Sequence, residues 1–334
     1  MKNLFLTTLI TAATTSSAFA DHGPGTSGSG AFTESAETLK PWQWSATVRF
    51  DWTEFKTPSA GELAGKEAFE LIDRAFLTTL NLGVGITENF QFGLLFGYYA
   101  ADGTREIEHH EHEAGGHEEP GGHEETAEAG HGAGEPEFST YDPDGWTDLW
   151  LNAKYRLYRG PAGQFALYGG VKFPVGEDRI VNSAGESIEP AATPGTGAWD
   201  GMFGAAYTVS LRPNLALDAS VQYTLRGERY DYRLGNRFDA GAALGWRVIG
   251  EAKSFPQVSL QAEANVRAVA KGKASGESDP NTGGTVLFLS PGVRVRFCEY
   301  AAWSVGVQLP VVQDLNGDQV ETDFRVTSSV TIAF

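Results

Sequence analysis

The side chains in this sequence that are best suited to chemistry are histidines, and they cluster in one segment. Six of the seven histidines lie between residues 109 and 131, and glutamates are interleaved with them. In chain order they are His109, His110, His112, His117, His123 and His131. Neutral imidazole binds zinc, copper, nickel and cobalt, and neighbouring carboxylates can complete the coordination shell. The segment therefore suggests weak capture of zinc or another divalent transition metal, although no cofactor is required.

The same segment also reads as a solvated, low-complexity loop. From Asp102 to Asp144 there are fourteen acidic residues against the single basic residue Arg105, a net charge of −13 within a formal total of −18. Glycine, histidine and glutamate cannot build an apolar core, and a tract of this composition stays disordered. We therefore predict an external, acidic, His-rich loop over residues 102–144, and metal binding and simple solvation stay open as its role.

The elements that carry this loop are strands in which apolar and polar residues alternate. Five apolar residues share one face of the final strand: Phe324, Val326, Val330, Ile332 and Phe334. Successive side chains of a strand point to opposite faces, so such a strand separates an apolar from a polar environment. A soluble sandwich would bury the apolar face in its core. A transmembrane barrel would turn that face to lipid and the polar face to a lumen.

The connections between the strands favour the barrel. We predict twelve strands, joined alternately by short turns and long loops. Bacterial outer-membrane barrels have this arrangement, with an even number of strands and the short turns in the periplasm. Every backbone polar group must be paired in lipid, so the sheet has to close. The predicted fold is an all-β, closed antiparallel transmembrane barrel over residues 41–334.

The amino terminus indicates export. Lys2 gives a positive start, Leu4 to Ala13 is largely apolar, and a small-x-small pattern ends at Ala20, as in a secretory signal peptide that is cleaved after that residue. We therefore expect residues 1–20 to direct the chain to the outer membrane of a Gram-negative bacterium. Its expected partners there are the barrel-assembly machinery, outer-membrane lipid and lipopolysaccharide.

Residues 21–40 follow the signal peptide and lack any periodic pattern. They are rich in glycine, serine and threonine, a composition that buries too little apolar surface to fold alone. We predict a disordered segment on the periplasmic side, with insertion into the lumen as the alternative.

Strand parity identifies the charged side chains that should line the lumen. Eleven are basic: Arg49, Lys154, Arg156, Lys172, Arg226, Arg237, Arg247, Arg267, Arg294, Arg296 and Arg325. Seven are acidic: Asp51, Asp148, Asp200, Asp218, Asp239, Glu263 and Asp323. Two interpretations stay open. Either these charges pair across a filled lumen and hold the barrel together, or they line a solvated passage whose arginines favour anions.

Short glycine-based segments of the barrel resemble a known family. Residues 169–176 read Gly-Gly-Val-Lys-Phe-Pro-Val-Gly, residues 194–201 read Pro-Gly-Thr-Gly-Ala-Trp-Asp-Gly, and residues 82–90 hold a hairpin turn of the same type. Together they resemble the outer-membrane transporter barrels of the MetA-pathway of phenol degradation family. The resemblance runs over nearly all of the barrel and implies a channel associated with hydrophobic or aromatic compounds. The His-rich loop is not part of that pattern.

Three functions follow from these observations. The first is a passive channel for small solutes, the second is capture or transport of a divalent metal through the His-rich loop, and the third is a structural or adhesive barrel. An enzyme is not expected, because hydrolase chemistry needs a histidine beside a nucleophile on rigid strands, and no predicted strand carries one. Nucleic acid is not expected either, since there is no phosphate-binding loop or basic aromatic surface.

Overall fold

Twelve long antiparallel strands form the body of the protein. The computed structural model describes residues 30–58, 70–108, 137–183, 185, 187–188, 192–251 and 253–334. The strands are β1 (Trp44–Phe55), β2 (Arg74–Gly85), β3 (Phe90–Asp102), β4 (Leu149–Gly160), β5 (Gly163–Phe173), β6 (Asp200–Arg212), β7 (Leu215–Leu225), β8 (Arg237–Ile249), β9 (Gln257–Val269), β10 (Gly284–Arg296), β11 (Ala301–Leu315) and β12 (Thr322–Ala333).

The sheet closes on itself. Each strand pairs with its neighbours in the chain, and β1 pairs with β12 as well as with β2. In the middle of this seam, Val48 lies opposite Val330 on one side and Leu80 on the other. Closure leaves these long strands without a free edge, which lipid requires because it offers no hydrogen bonds to the backbone. The prediction of a closed twelve-strand barrel is confirmed.

Alternation along each strand turns apolar side chains outward and polar ones inward. In β1 the side chains of Val48 and Phe50 are 50% and 43% exposed, whereas Arg49 and Asp51 between and beyond them are only 7% and 3% exposed. Exposed tryptophans lie at both ends of the barrel, among them Trp246 near a short turn and Trp199 near a long loop. Aromatic girdles of this kind mark the two interfaces of a membrane.

Asp323 departs from the predicted parity. It was expected to face the lumen, but its side chain is exposed and Thr322 is buried instead. The pairing of β1 with β12 shifts at this point, so that Glu54 lies opposite Phe324 and Phe55 opposite Thr322. A β-bulge adds one residue to a strand and reverses the alternation beyond it. The predicted inward position of Asp323 is therefore wrong.

Short turns and long loops lie at opposite ends of the barrel. The long loop between β3 and β4 contains a hairpin of two strands, Thr104–Glu108 and Glu137–Tyr141. Glu70–Leu71, from the loop between β1 and β2, adds a third strand to it. A second small sheet consists of Glu228–Arg229, Tyr232–Arg233, Lys273–Ala274 and Glu277–Ser278. The predicted signal peptide and the six histidines lie outside the described residues. Within the described part of the chain, no helix is long and apolar enough to cross a membrane.

The outward orientation of the apolar face predicts a depth-dependent cost of charge on β8. Leu244, near the middle of the strand, and Ile249, at its short-turn end, are both exposed aliphatic residues. Leu244→Arg should lower the free energy of unfolding by about 2–4 kcal/mol, and Ile249→Arg by only about 0–1 kcal/mol, because arginine is costly near the bilayer midplane and cheap at the interface. Urea unfolding in lipid vesicles measures both values. Equal costs at the two positions would contradict a lipid-facing surface.

Candidate functional site: the barrel lumen

The charged residues assigned to the lumen lie inside the barrel or at its rims. Twelve are buried: Arg49, Asp51, Asp148, Lys154, Arg156, Lys172, Asp200, Asp218, Arg237, Glu263, Arg294 and Arg325. Five are partly buried: Arg226, Asp239, Arg247, Arg267 and Arg296. Arg247 lies at the short-turn end, where it donates a hydrogen bond to the carbonyl of Pro213. The remaining question is what these side chains contact.

A four-residue ion cluster lies at the long-loop end of β4 to β7. The ammonium group of Lys172 is 2.8 Å from a carboxylate oxygen of Asp148 and 2.8 Å from one of Asp200, and Arg226 contacts Asp200 at the same distance. Asp148 also accepts hydrogen bonds from the backbone of Gly176 and Thr196. The cluster therefore fastens the loop after β5 into the mouth of the barrel.

The glycines of residues 169–176 and 194–201 have a physical role in this cluster. A Cβ atom at Gly176 would lie 2.7 Å from the backbone nitrogen of Asp148, and one at Gly195 would lie 2.8 Å from the Cα of Gly176. These contacts are too close for any side chain, so the loop can approach the carboxylate only with glycine at both positions. Two of the three segments that carry the family resemblance thus meet in one structure at the mouth of the barrel.

Two further groups of paired charges lie on the inner wall, one on β8 and β9 and one on β1. Asp239 on β8 contacts Arg237 at 2.6 Å and Arg267 on β9 at 3.0 Å. On β1, the guanidinium group of Arg49 donates hydrogen bonds to both carboxylate oxygens of Asp51 at 2.8 to 3.0 Å. Charge-assisted hydrogen bonds, within one strand or between neighbouring strands, satisfy groups that would otherwise be costly to bury.

Residues 30–40 lie inside the barrel, which differs from the expected disordered periplasmic segment. Phe32, Thr33, Glu34, Ser35 and Ala36 are all at most 5% exposed. Residues 38–40 lie at the short-turn end, where the hydroxyl of Thr38 donates to the carbonyl of Glu88. From there the segment, which we call the plug, reaches the middle of the lumen. The structure thus has the alternative that the sequence left open for this segment, which the sequence did not favour because a polar segment bound by a lumen has no apolar period.

The plug is held by hydrogen bonds to side chains of the wall. Glu263 on β9 accepts bonds from the backbone of Ala31 and Phe32 and from the hydroxyl of Thr33. On β6, Thr208 contacts the Ser35 hydroxyl at 3.3 Å and the Ala36 backbone nitrogen at 2.9 Å. Gln91 on β3 accepts a bond of 2.8 Å from the backbone of Leu39. Three sides of the wall therefore grip the segment.

Lys154 on β4 also binds the plug. Its ammonium group forms an ion pair with Glu34 and donates hydrogen bonds to the carbonyls of Ser35 at 2.9 Å and Glu37 at 3.4 Å. The hydrogen bonds and the ion pair described for Lys154 and Glu263 all reach the plug, while Arg49 of the wall also interacts electrostatically with the Glu263 carboxylate. One buried cation and one buried anion of the wall are thus matched to this segment.

Two small cavities border the plug among the described residues. One cavity of about 30 Å³ is lined by Phe32, Glu34, Tyr168, Arg267 and Phe288, among others. A second cavity of about 10 Å³ borders Glu34, Lys154, Tyr168 and Met202. Each has room for about one or two water molecules. At the long-loop end, Leu71, Ile72 and Val320 pack with the wall residues Leu77 and Tyr99 in an apolar cluster that narrows the mouth.

The predicted metal ligands cannot be placed in this structure. His109, His110, His112, His117, His123 and His131 lie outside the described residues, and among those described there is no group of three or more His, Cys, Asp or Glu side chains that could hold a metal ion. Metal capture by the His-rich loop therefore stays a prediction from sequence.

Comparisons with known proteins agree with this architecture. The model of the family described as "Putative MetA-pathway of phenol degradation" matches residues 116–310. The fold is similar to that of an outer membrane channel from Pseudomonas putida F1, with a TM-score of 0.60 and 12% sequence identity over 90% of this chain and 98% of that one. No curated protein matches the sequence.

Two further similarities are weaker. The transport unit of the autotransporter AIDA-I from Escherichia coli gives a TM-score of 0.48 at 11% identity, over 92% of this chain and 95% of that one. The CymD monoaromatic hydrocarbon channel gives 0.40 at 9% identity, over 89% of each chain. Both values are too low to indicate function.

The ion cluster at the mouth predicts a large cost for removing its central cation. Lys172→Met should lower the free energy of unfolding by about 3–5 kcal/mol, because two buried carboxylates each lose an ion pair, although Asp200 keeps the one with Arg226. Lys56→Met is the matched control, since Lys56 contacts Glu321 at 2.6 Å with both side chains about half exposed, and an exposed pair contributes only about 0–1 kcal/mol. Urea unfolding in lipid vesicles measures both changes, and similar losses in the two variants would contradict a structural role of the cluster.

Proposed function

Because the chain belongs to the MetA-pathway of phenol degradation family, we propose that it is a passive outer-membrane channel for small hydrophobic or aromatic solutes, opened by displacement of the plug. The observation that carries the proposal is a closed barrel whose lumen is filled by a segment of its own chain. Export through residues 1–20 and insertion by the barrel-assembly machinery into a Gram-negative outer membrane belong to the same proposal.

A small aromatic solute can pass through the lumen only if the plug moves. A cavity that binds benzene has a volume of about 150 Å³, whereas the two cavities beside the plug have about 30 Å³ and 10 Å³. The barrel itself is an unsuitable gate, because opening a seam between strands would expose unpaired backbone groups to lipid. Displacing a peptide from the lumen avoids that cost.

The plug is built to be displaced without unfolding the barrel. Residues 30–40 form no strand, and the contacts that hold them to β6 and β9 run through the side chains of Thr208 and Glu263 rather than through backbone ladders. When the plug leaves, every strand keeps its neighbours. Water entering the lumen can then solvate the wall groups that the plug has bound.

A reversible cross-link between plug and wall tests this proposal. The hydroxyls of Ser35 and Thr208 are 3.3 Å apart, so cysteines at these positions lie within reach of a disulfide. In a Cys298→Ser background, which removes the free exposed thiol, Ser35→Cys with Thr208→Cys should abolish conductance in planar bilayers when oxidised. A reductant should restore it within the same recording.

Two further variants complete the test. Each single cysteine variant in the same background should conduct equally with and without reductant, which controls for effects of the reductant itself. Deletion of residues 30–40 should increase conductance and the uptake of small aromatic solutes into vesicles. Equal conductance of the oxidised and reduced double variant would show that solutes do not need plug movement, and the gating proposal would then fail.

A further inference from the structure

We infer that the solutes the lumen selects are aromatic carboxylates, and that they bind at Lys154 in place of Glu34 of the plug. This inference rests on the proposed function and names the substrate class of the same lumen. The plug and a passing solute compete for one space, so the chemistry of the plug at that position indicates what the wall is built to bind.

The cation of the inferred binding site is Lys154. Lys154 is buried in the wall, and its described contacts are the carboxylate of Glu34 and two carbonyls of the same segment. When the plug leaves, this ammonium group is exposed to the lumen without a carboxylate partner. Even when water reaches it, an ammonium group in a lumen with an excess of basic side chains attracts anions, so an anionic solute can take the place of Glu34.

An apolar surface lies beside that cation. Ala36 of the plug packs with Ala166, Tyr168 and Ala206 of the wall in one buried cluster. Tyr168 and Met202 also line the small cavity that borders Lys154. Displacement of the plug therefore uncovers an aromatic ring and a thioether next to the ammonium group, and both pack favourably against another aromatic ring.

The lumen already accommodates one aromatic ring, that of Phe32. Phe32 of the plug lies in the larger cavity with Phe288 and Tyr168, and the guanidinium group of Arg49 stacks over the Phe32 ring at 4.9 Å from its centroid. Only one residue, Thr33, lies between Phe32 and Glu34 in the chain. The plug thus presents an aromatic group and a carboxylate to the wall along one short stretch, and a solute that carries both can replace each contact in kind.

The net charge of the lumen also favours an anionic solute. The wall residues assigned to the lumen include eleven basic side chains against six acidic ones once Asp323 is placed outside, and Glu34 adds a negative charge only while the plug is present. An open lumen is therefore more positive than the closed one, which favours anions. A neutral aromatic compound gains from the apolar surface but leaves Lys154 without a partner.

Block of the chloride current by three matched compounds tests the inference in the full chain. 3-Phenylpropanoate carries ring and carboxylate, 3-phenylpropan-1-ol carries the ring alone, and propanoate carries the carboxylate alone. We expect 3-phenylpropanoate to block at a concentration about 10-fold lower than either of the others, because a charge-assisted bond and ring packing each contribute to its binding. Lys154→Gln should remove its advantage over the alcohol, and Lys154→Arg should retain it.

A change in the plug makes the same test without altering the wall. Glu34→Gln weakens the competitor and should lower the blocking concentration of 3-phenylpropanoate several-fold, whereas Glu228→Gln, the same change at an exposed position outside the plug, should leave it unchanged. This arm decides the matter even where Lys154→Gln folds poorly.

The outcomes separate this inference from the proposed function. Equal block by the three compounds, or an advantage of 3-phenylpropanoate that survives Lys154→Gln and ignores Glu34→Gln, would overturn the carboxylate site while leaving the channel intact. Absence of any current, even after deletion of residues 30–40, would instead remove the proposed channel.

Discussion

The need to pair every backbone polar group in lipid is the constraint on which the rest of this structure depends. It forces the twelve strands to close, so that β1 pairs with β12 and no edge is left among them. Once the sheet is closed, the two-residue period of each strand separates the side chains into an outer and an inner set. The outer set meets lipid, and the charged side chains of the inner set are buried in the interior, where they must find partners.

The buried charges find their partners in different ways at two depths of the lumen. At the long-loop end, Lys172 lies between Asp148 and Asp200, so wall and loop charges satisfy one another permanently. In the middle, Lys154 and Glu263 are matched to the plug. The two interpretations that the sequence left open, structural pairing and a passage for solutes, therefore need not exclude each other. The first describes the mouth, and the second is our proposal for the middle.

The sequence predicted what depends on local periodicity and little of what depends on distant contacts. Alternation along β1 placed Arg49 and Asp51 inside, and the alternation of turn lengths gave the strand number. The position of Asp323 failed because a bulge depends on pairing between two strands far apart in the chain. The plug was only the alternative for a related reason: its polar residues are buried by wall side chains such as Thr208 and Glu263, and no pattern within residues 30–40 records that environment.

The same contacts explain why a plug of this kind can favour one class of solute. A wall that bound the segment only through apolar surface would release it to any hydrophobic compound. Lys154, once deprived of Glu34, adds an electrostatic penalty to the open state, and that penalty falls when a negative group arrives. The cost of opening is therefore lowest in the presence of a solute that resembles the plug, so that the residues which close the lumen also set its selectivity.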